Sequence, residues 1–347
     1  MSRIPALHLL PIALIAVSAS LLPAQAPTEA KAQKTYADAL KASKGHDTQH
    51  AIDLFRKADK QDGNHCSACA SHAALLALQT GDTKLARNEA IELEALAKTP
   101  EEQANAHLLH GVAMLNMGMA NHKERDLTEA DSELQKAIAL SGGNQPEALF
   151  EDGMALANLH QDDSARARFH EFLGKFPSGT LDSIRAARYE KRPELARQRM
   201  APVFSLTTLS GQQISLDGLE GKVLLIDFWA TWCGPCREAL PHMQSIAKKF
   251  AGQPLVILSV SLDSDQAKWE SFVAKNNMTW QQYRDGGFDG PLAQRFSVHA
   301  IPATFTIDAD GVLQDQHVGD AAIEGKLKKL VAAAANRAEA PPPPEAN

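Results

Sequence analysis

Residues 224–241 read LLIDFWATWCGPCREALP, and the change of pattern inside this stretch decides the fold. The segment from Val223 to Trp229 is a continuous apolar run, which predicts a buried strand. It ends in a turn, and a helix is predicted from Pro235 to Phe250, with Cys233 at its start. The free N–H groups and the dipole at a helix N-terminus stabilise a thiolate, so a cysteine placed there is held in its reactive form. Cys236, one turn in, is expected to be more buried and able to attack a mixed disulfide formed on Cys233. Pro235 suits the first helical turn, where its missing N–H needs no partner. A structural disulfide or half of a zinc site are the competing readings. Zinc would need a further Cys or His pair, and none follows at suitable spacing in this half, so no metal is expected. The pair reads as a redox dithiol.

Moving outward, strands are predicted at Gln212–Leu216 and Leu255–Ser261, and a helix at Ala267–Asn276. Ala303–Ile307 and Leu313–Val318 form a hairpin around Asp310-Gly311, and Ile323–Ala335 makes a closing helix. Strands alternating with helices and then a hairpin predict an α/β sheet covered on both faces. A tail from Ala338, with Pro341 to Pro344, is expected to be disordered (residues 338–347).

With these residues in place, LLIDFWATWCGPCREALP resembles the thioredoxin active site. The longer stretch APVFSLTTLSGQQISLDGLEGKVLLIDFWATWC is similar to the extracytoplasmic thioredoxin-like reductases of the TlpA/ResA group. The resemblance covers residues 201–337 and implies a thioredoxin-like domain there. It implies Cys233 as nucleophile and Cys236 as resolving thiol. It makes Asp227 the buried acid that moves protons for the resolving cysteine. Pro302, within Ala300-Ile301-Pro302-Ala303-Thr304-Phe305, matches the cis-proline facing the dithiol, and the loop of Ile301 and Pro302 would offer backbone to an extended substrate strand. Trp232 matches the aromatic flanking the site, and Pro241 the residue that kinks the active-site helix.

The 69 residues from Cys233 to Pro302 exceed the thioredoxin spacing, through an extra helix and strand around Trp269 to Tyr283. Such an insertion is also similar to peroxiredoxins, but Phe228-Trp229-Ala230-Thr231-Trp232-Cys233 lacks their Pro-x-x-x-Thr/Ser-x-x-Cys setting. Gly234-Pro235 puts no histidine between the cysteines. Strong oxidants near about -120 mV owe their power to a stabilised reduced form, whereas thioredoxin sits near about -270 mV. The expected activity is therefore reduction of protein disulfides, with no cofactor beyond the Cys233–Cys236 pair and with electrons from a membrane-bound donor. The alternative is a redox-inert scaffold in which the helical half does the work.

That half lies before residue 200. Ala51, Ala86, Ala130 and Ala165 recur at spacings of 35, 44 and 35, with Phe55, Leu134 and Phe169 four residues after three of them. Gly111, Gly153 and a closing Pro177 add to the pattern, which resembles the tetratricopeptide repeat. Ala90 replaces the large residue in the second unit, and Gly118 to Ala130 holds an insertion. Four helical hairpins are expected, at 32–61, 66–98, 101–140 and 144–176, capped by a basic helix from Asp182 to Arg199. Small residues let paired helices approach, each hairpin buries its apolar face on the next, and such an all-α solenoid (32–199) usually offers a surface to a protein partner. A spacer or dimerisation module is the plainer reading. The nine histidines between residues 27 and 199 are scattered apart from His107/His110 and His65/His72, and read as solvated or packed.

The remaining cysteines lie in DGNHCSACASH, residues 62–72. Cys66 and Cys69 fall in the first turn of a helix, on one face. No strand, cis-proline loop or Trp accompanies them, which argues against a redox pair, and Ala70 in place of His excludes haem attachment. A metal site with His65 and His72 is conceivable, but a structural disulfide is the preferred reading. Residues 1–26 combine Arg3, an apolar Leu7 to Leu22 interrupted by Pro11, and Ala24-Gln25-Ala26 before Pro27. They predict a cleaved signal peptide, with a retained anchor as the alternative, and place the mature chain in the periplasm or elsewhere outside the cytoplasm. The formal charge of -7 argues against a general nucleic-acid binder.

Overall fold

The computed structural model describes residues 25–45, 47–176, 178–319 and 323–339. The expected signal segment (apart from Gln25 and Ala26), Pro177 and Pro341 to Pro344 lie outside the described residues. The chain divides into two compact units, Met1–Arg197 and Gln198–Asn347.

The first unit is all-helical. Its hairpins are α1 (Ala30–Lys44) with α2 (Thr48–Gln61), α3 (Ser67–Thr80) with α4 (Thr83–Leu96), α5 (Pro100–Asn121) with α6 (Glu124–Leu140), and α7 (Pro146–Asn158) with α8 (Asp162–Lys175). The recurring alanines Ala51, Ala86, Ala130 and Ala165 are all fully buried, as are Phe55, Leu134 and Phe169. Close approach also explains two glycines: a Cβ at Gly111 would stand 2.6 Å from Leu134 Cγ, and one at Gly153 would stand 2.7 Å from Phe169 Cε1. The longer third repeat is absorbed as helix rather than loop. α5 runs 22 residues and α6 runs 17, joined by a turn in which His122 takes a left-handed conformation. α5 starts on a capping box, Thr99 with Glu102, and has Pro100 in its first turn.

The capping helix is shorter than expected. α9 spans Leu181–Lys191 and gives way to a 3-10 turn at Pro193–Arg197. Pro193 has no N–H to donate and disfavours helical geometry at Arg192, so the α-helix stops there.

Cys66 and Cys69 are joined in a disulfide and are 0% and 1% exposed. Neither nearby histidine is directed to sulfur: His72 stacks on Phe55 with centroids 4.8 Å apart, and His65 Nδ1 lies 3.2 Å from the Asp62 carbonyl. Closing so small a ring contributes about 2 kcal/mol at most. Replacing both cysteines by Ala, which strands no buried hydroxyl, should lower the melting temperature of this unit by roughly 8 °C or less. Disulfide-reducing turnover should be intact, and its loss would make the pair a redox relay.

The second unit carries a five-stranded sheet in the order β5-β4-β3-β6-β7. The strands are β3 (Val223–Trp229), β4 (Leu255–Ser261), β5 (Gln281–Arg284), β6 (Ala303–Ile307) and β7 (Leu313–Val318). β3–β4 and β4–β5 are parallel, and β3–β6 and β6–β7 antiparallel. A separate hairpin precedes them, β1 (Ser205–Thr207) with β2 (Gln213–Ser215). The helices are α10 (Gly234–Lys249), α11 (Gln266–Lys275), α12 (Pro291–Arg295) and α13 (Glu324–Glu339). The closing helix therefore runs past Ala338, where a disordered tail was expected to begin. The extra spacing before Pro302 is the β4–α11–β5 crossover.

Every residue of β3 is buried, at the centre of the sheet. Leu224, Ile226 and Phe228 join one core with Leu258, Val260 and Phe305. Val223 and Leu225 join the opposite core with Met243 and Ile246 of α10 and Leu327 and Val331 of α13. Strand alternation puts Asp227 on this second face, under α10. No described helix is long and apolar enough to cross a membrane.

The unit begins slightly before the composition changes. The Arg199 carbonyl accepts from Leu313 N–H at 2.7 Å, Met200 bridges Val312, and Ala201 N–H donates to the Gly311 carbonyl at 2.9 Å. A fragment starting at Gln198 keeps all three. It should fold, by circular dichroism, and reduce a generic disulfide unaided. An insoluble or inactive fragment would show that the two units act only as one.

Candidate active site

The dithiol sits where a buried strand hands over to a helix. Cys233 is the N-cap of α10, with φ -81° and ψ 109°, and its Sγ accepts from Cys236 N–H at 3.2 Å. Pro235 lies in the first turn and Pro241 inside the helix. Cys233 and Cys236 are joined in a disulfide, and each is 6% exposed. The expected difference in burial is therefore absent in this oxidised state. Their surroundings do differ. Cys233 Sγ faces the Ile301 carbonyl at 3.9 Å, across the cis Ile301–Pro302 bond. Cys236 instead lines a small cavity of about 20 Å³ shared with Asp227, Trp229, Met243 and Pro302, enough for a single water molecule. Trp232 is 54% exposed beside the dithiol.

Burial pushes the Asp227 carboxyl up to about 7, and a hydrogen bond from Ser259 opposes the rise. Ser259 Oγ donates to Asp227 Oδ2 at 3.2 Å and itself accepts from Trp280 Nε1 at 2.8 Å. The serine stands directly opposite Asp227 in the β3–β4 register. A second acid holds the turn. Asp263, 2% exposed, accepts from Thr231 N–H at 2.9 Å, from Thr231 Oγ1 at 2.6 Å and from Ser261 Oγ at 2.7 Å. These bonds fix the backbone just ahead of Trp232 and Cys233. Sequence reasoning missed Ser259, Trp280 and Asp263. The one available signal was the short polar pair Ser259 and Ser261 inside an otherwise apolar strand.

The cis-proline loop is tied down on one side, since Gly319 N–H donates to the Pro302 carbonyl at 2.8 Å. Among the loop's carbonyls, the one facing the dithiol is that of Ile301. The structure thus brings together Cys233, Cys236, Asp227, Ile301, Pro302 and Trp232, and leaves Cys66 and Cys69 in the other unit.

A dithiol at a helix N-cap, a cis-proline loop opposite and a mixed five-stranded sheet define a thiol-disulfide oxidoreductase of thioredoxin fold. The AhpC/TSA family matches residues 198–316. Thioredoxin-like protein YneN of Bacillus subtilis (strain 168) is 34% identical over 133 residues, spanning 38% of this chain and 76% of the relative. The thiol-disulfide oxidoreductase ResA of Bacillus thuringiensis (strain Al Hakam) is 31% identical over 133 residues, with the same coverage of 38% and 76%. A solved structure titled as a putative thiol:disulfide interchange protein DsbE from Chlorobium tepidum is 30% identical, covers 40% of this chain and 96% of its own, and has a TM-score of 0.35. The chain belongs to the thioredoxin-like thiol-disulfide oxidoreductases, a family whose active site is its redox-active cysteine pair.

Proposed function

We propose that this protein reduces disulfides of protein substrates outside the cytoplasm, with Cys233 as nucleophile, Cys236 as resolving thiol and Asp227 as the acid that moves protons for Cys236. The observation that carries the reading is the placement of the dithiol, with Cys233 Sγ towards the Ile301 carbonyl and Cys236 on the cavity that holds Asp227. In the reduced protein, the Cys233 thiolate attacks a substrate disulfide, forming a mixed disulfide and expelling one substrate thiolate, which takes a proton from solvent. Cys236 passes its proton to Asp227 and attacks Cys233 Sγ. The second substrate sulfur leaves as a thiolate and takes a proton from solvent, Asp227 gives up its own proton, and the Cys233–Cys236 disulfide closes. Two electrons have moved from the chain to the substrate. A dithiol donor, proposed to be membrane-bound, reverses the closure.

Ile301 and Pro302 would pair with an extended substrate strand, and Trp232 would cover its side chains. Gly234-Pro235 between the cysteines favours a potential nearer about -270 mV than about -120 mV. The apolar segment Leu7 to Leu22 and the second disulfide fit an oxidising compartment. The helical unit is proposed to bind the substrate or a partner protein. Reduction of insulin disulfides by the full chain, supplied with dithiothreitol, is the test. Acceleration over dithiothreitol alone is expected. No acceleration, with a dithiol that stays oxidised, would favour the scaffold reading.

A further inference from the structure

Four side chains of the helical unit converge where α4, α5 and α6 pack together, away from any role in the chemistry above. Glu94 comes from near the end of α4, His107 and His110 from one face of α5, and Glu133 from the middle of α6. His107 Nδ1 lies 2.7 Å from Glu133 Oε2 and 3.4 Å from Glu94 Oε1. His110 Nδ1 lies 2.7 Å from Glu94 Oε1 and 3.9 Å from Glu133 Oε2. Zinc bound tetrahedrally at about 2.0–2.1 Å requires neighbouring donor atoms about 3.3 Å apart, and these four separations straddle that value.

We propose that Glu94, His107 and Glu133, whose donor atoms all lie within 4.8 Å of one another, form the core of a binding site for a divalent transition metal of the zinc class, with His110, beside Glu94 and Glu133, closing in as the fourth ligand. Two imidazoles and two carboxylates are a zinc-type donor set, and too rich in nitrogen for calcium or magnesium. Lys136 Nζ takes Glu133 Oε1 at 2.8 Å, which leaves Oε2 facing the histidines. Glu94 and His107 also line an open cleft with Gln103 and Lys136, so an ion has a path in.

Hydrogen bonds alone would account for the two Nδ1 atoms. They do not account for His110 Nε2, which is buried and makes no hydrogen bond. It stands 3.5 Å from Glu129 Oε1. A metal on Nδ1 would shift the ring proton to Nε2, which could then donate to Glu129. That is the carboxylate–histidine–metal arrangement that orients ligating imidazoles. The carboxylate required for it is already in place, with Arg87 3.8 Å beyond. Because the ligands come from three helices, the metal would tie the second hairpin to the third.

The test uses the oxidised full chain, stripped with a chelator and dialysed against zinc alone. One zinc per chain is expected, retained when Cys233 and Cys236 are both replaced by Ser. Cobalt(II) in its place should give the visible absorption of a tetrahedral site. His107→Ala and Glu133→Gln should each weaken zinc binding by more than about 10-fold, and Glu129→Gln, which touches no metal, by about 10-fold. The far-ultraviolet circular dichroism of Glu133→Gln confirms that the unit is still folded. Absence of saturable zinc at micromolar concentration overturns the proposal. So does zinc that survives all three substitutions, or that is lost only when cysteines are replaced.

Discussion

Cys236→Ser should convert the protein into a trap that accumulates mixed disulfides through Cys233, while Cys233→Ser accumulates none. The first chemical step needs a thiolate at the helix N-cap, facing the loop where a substrate strand would lie, and Cys236→Ser keeps it. The second step needs a sulfur on the inner side, and Cys236→Ser removes it. With no resolving thiol, the adduct persists until an external thiol releases it. Cys233→Ser leaves a thiol that shares its cavity with Asp227 and does not face Ile301. Equal residue exposure does not blur this expectation, because direction and not accessible area separates the two sulfurs. Non-reducing electrophoresis after incubation with a disulfide-containing protein reads the result. Adducts of equal yield from both variants would sink the assignment of roles.

Asp227→Asn should slow turnover and at the same time stabilise the domain at alkaline pH. Asp227 ionises near 3.8 as a free group and at about 7 in the fold, because burial disfavours its charge. Between those values the folded state keeps a proton that the unfolded state has released. Stability therefore falls as pH rises through that window and levels off above about pH 7. The amide analogue has no such penalty. Above pH 7 it should be the more stable protein, by an amount on the order of 4 kcal/mol at most, and below about pH 4 the two should melt together. Turnover should fall most near neutral pH, where the acid can both accept and return a proton. Thermal melts and insulin reduction across pH 5–9 check both halves. Unchanged turnover with the predicted stabilisation would leave Asp227 a structural residue.

Much of the second unit was legible because its strands are unbroken. Val223–Trp229, Leu255–Ser261, Ala303–Ile307 and Leu313–Val318 are apolar runs or are bounded by a turn, and the structure has them at those limits. β1 and α12 were missed, being three and five residues long, too short for a periodic pattern to register. The four hairpins could be read from buried alanines at repeat spacing, whereas the early stop of α9 was written in Pro193 and overlooked. The site divides the same way. Cys233, Cys236, Asp227 and Pro302 lie in local motifs. Ser259 reaches Asp227 only through the pairing of β3 with β4, and Trp280 reaches Ser259 only beside the pairing of β4 with β5, registers that no local window contains. The equal burial of Cys233 and Cys236 depends on packing that the motif itself does not spell out.

The two Cys-x-x-Cys pairs share one local design: in each, the first cysteine is an N-cap whose sulfur accepts from the backbone N–H of the second. They differ in what covers them, since Cys66 and Cys69 are sealed in the helical core and Cys233 opens on a loop. The molecule thereby carries its own unfolding gauge. After mild reduction, a bulky maleimide should tag only Cys233 of the native chain, and tagging of the sealed pair should begin only as the helical core opens. Counting labels per chain over time would then report the opening rate of one unit without a probe being engineered into it.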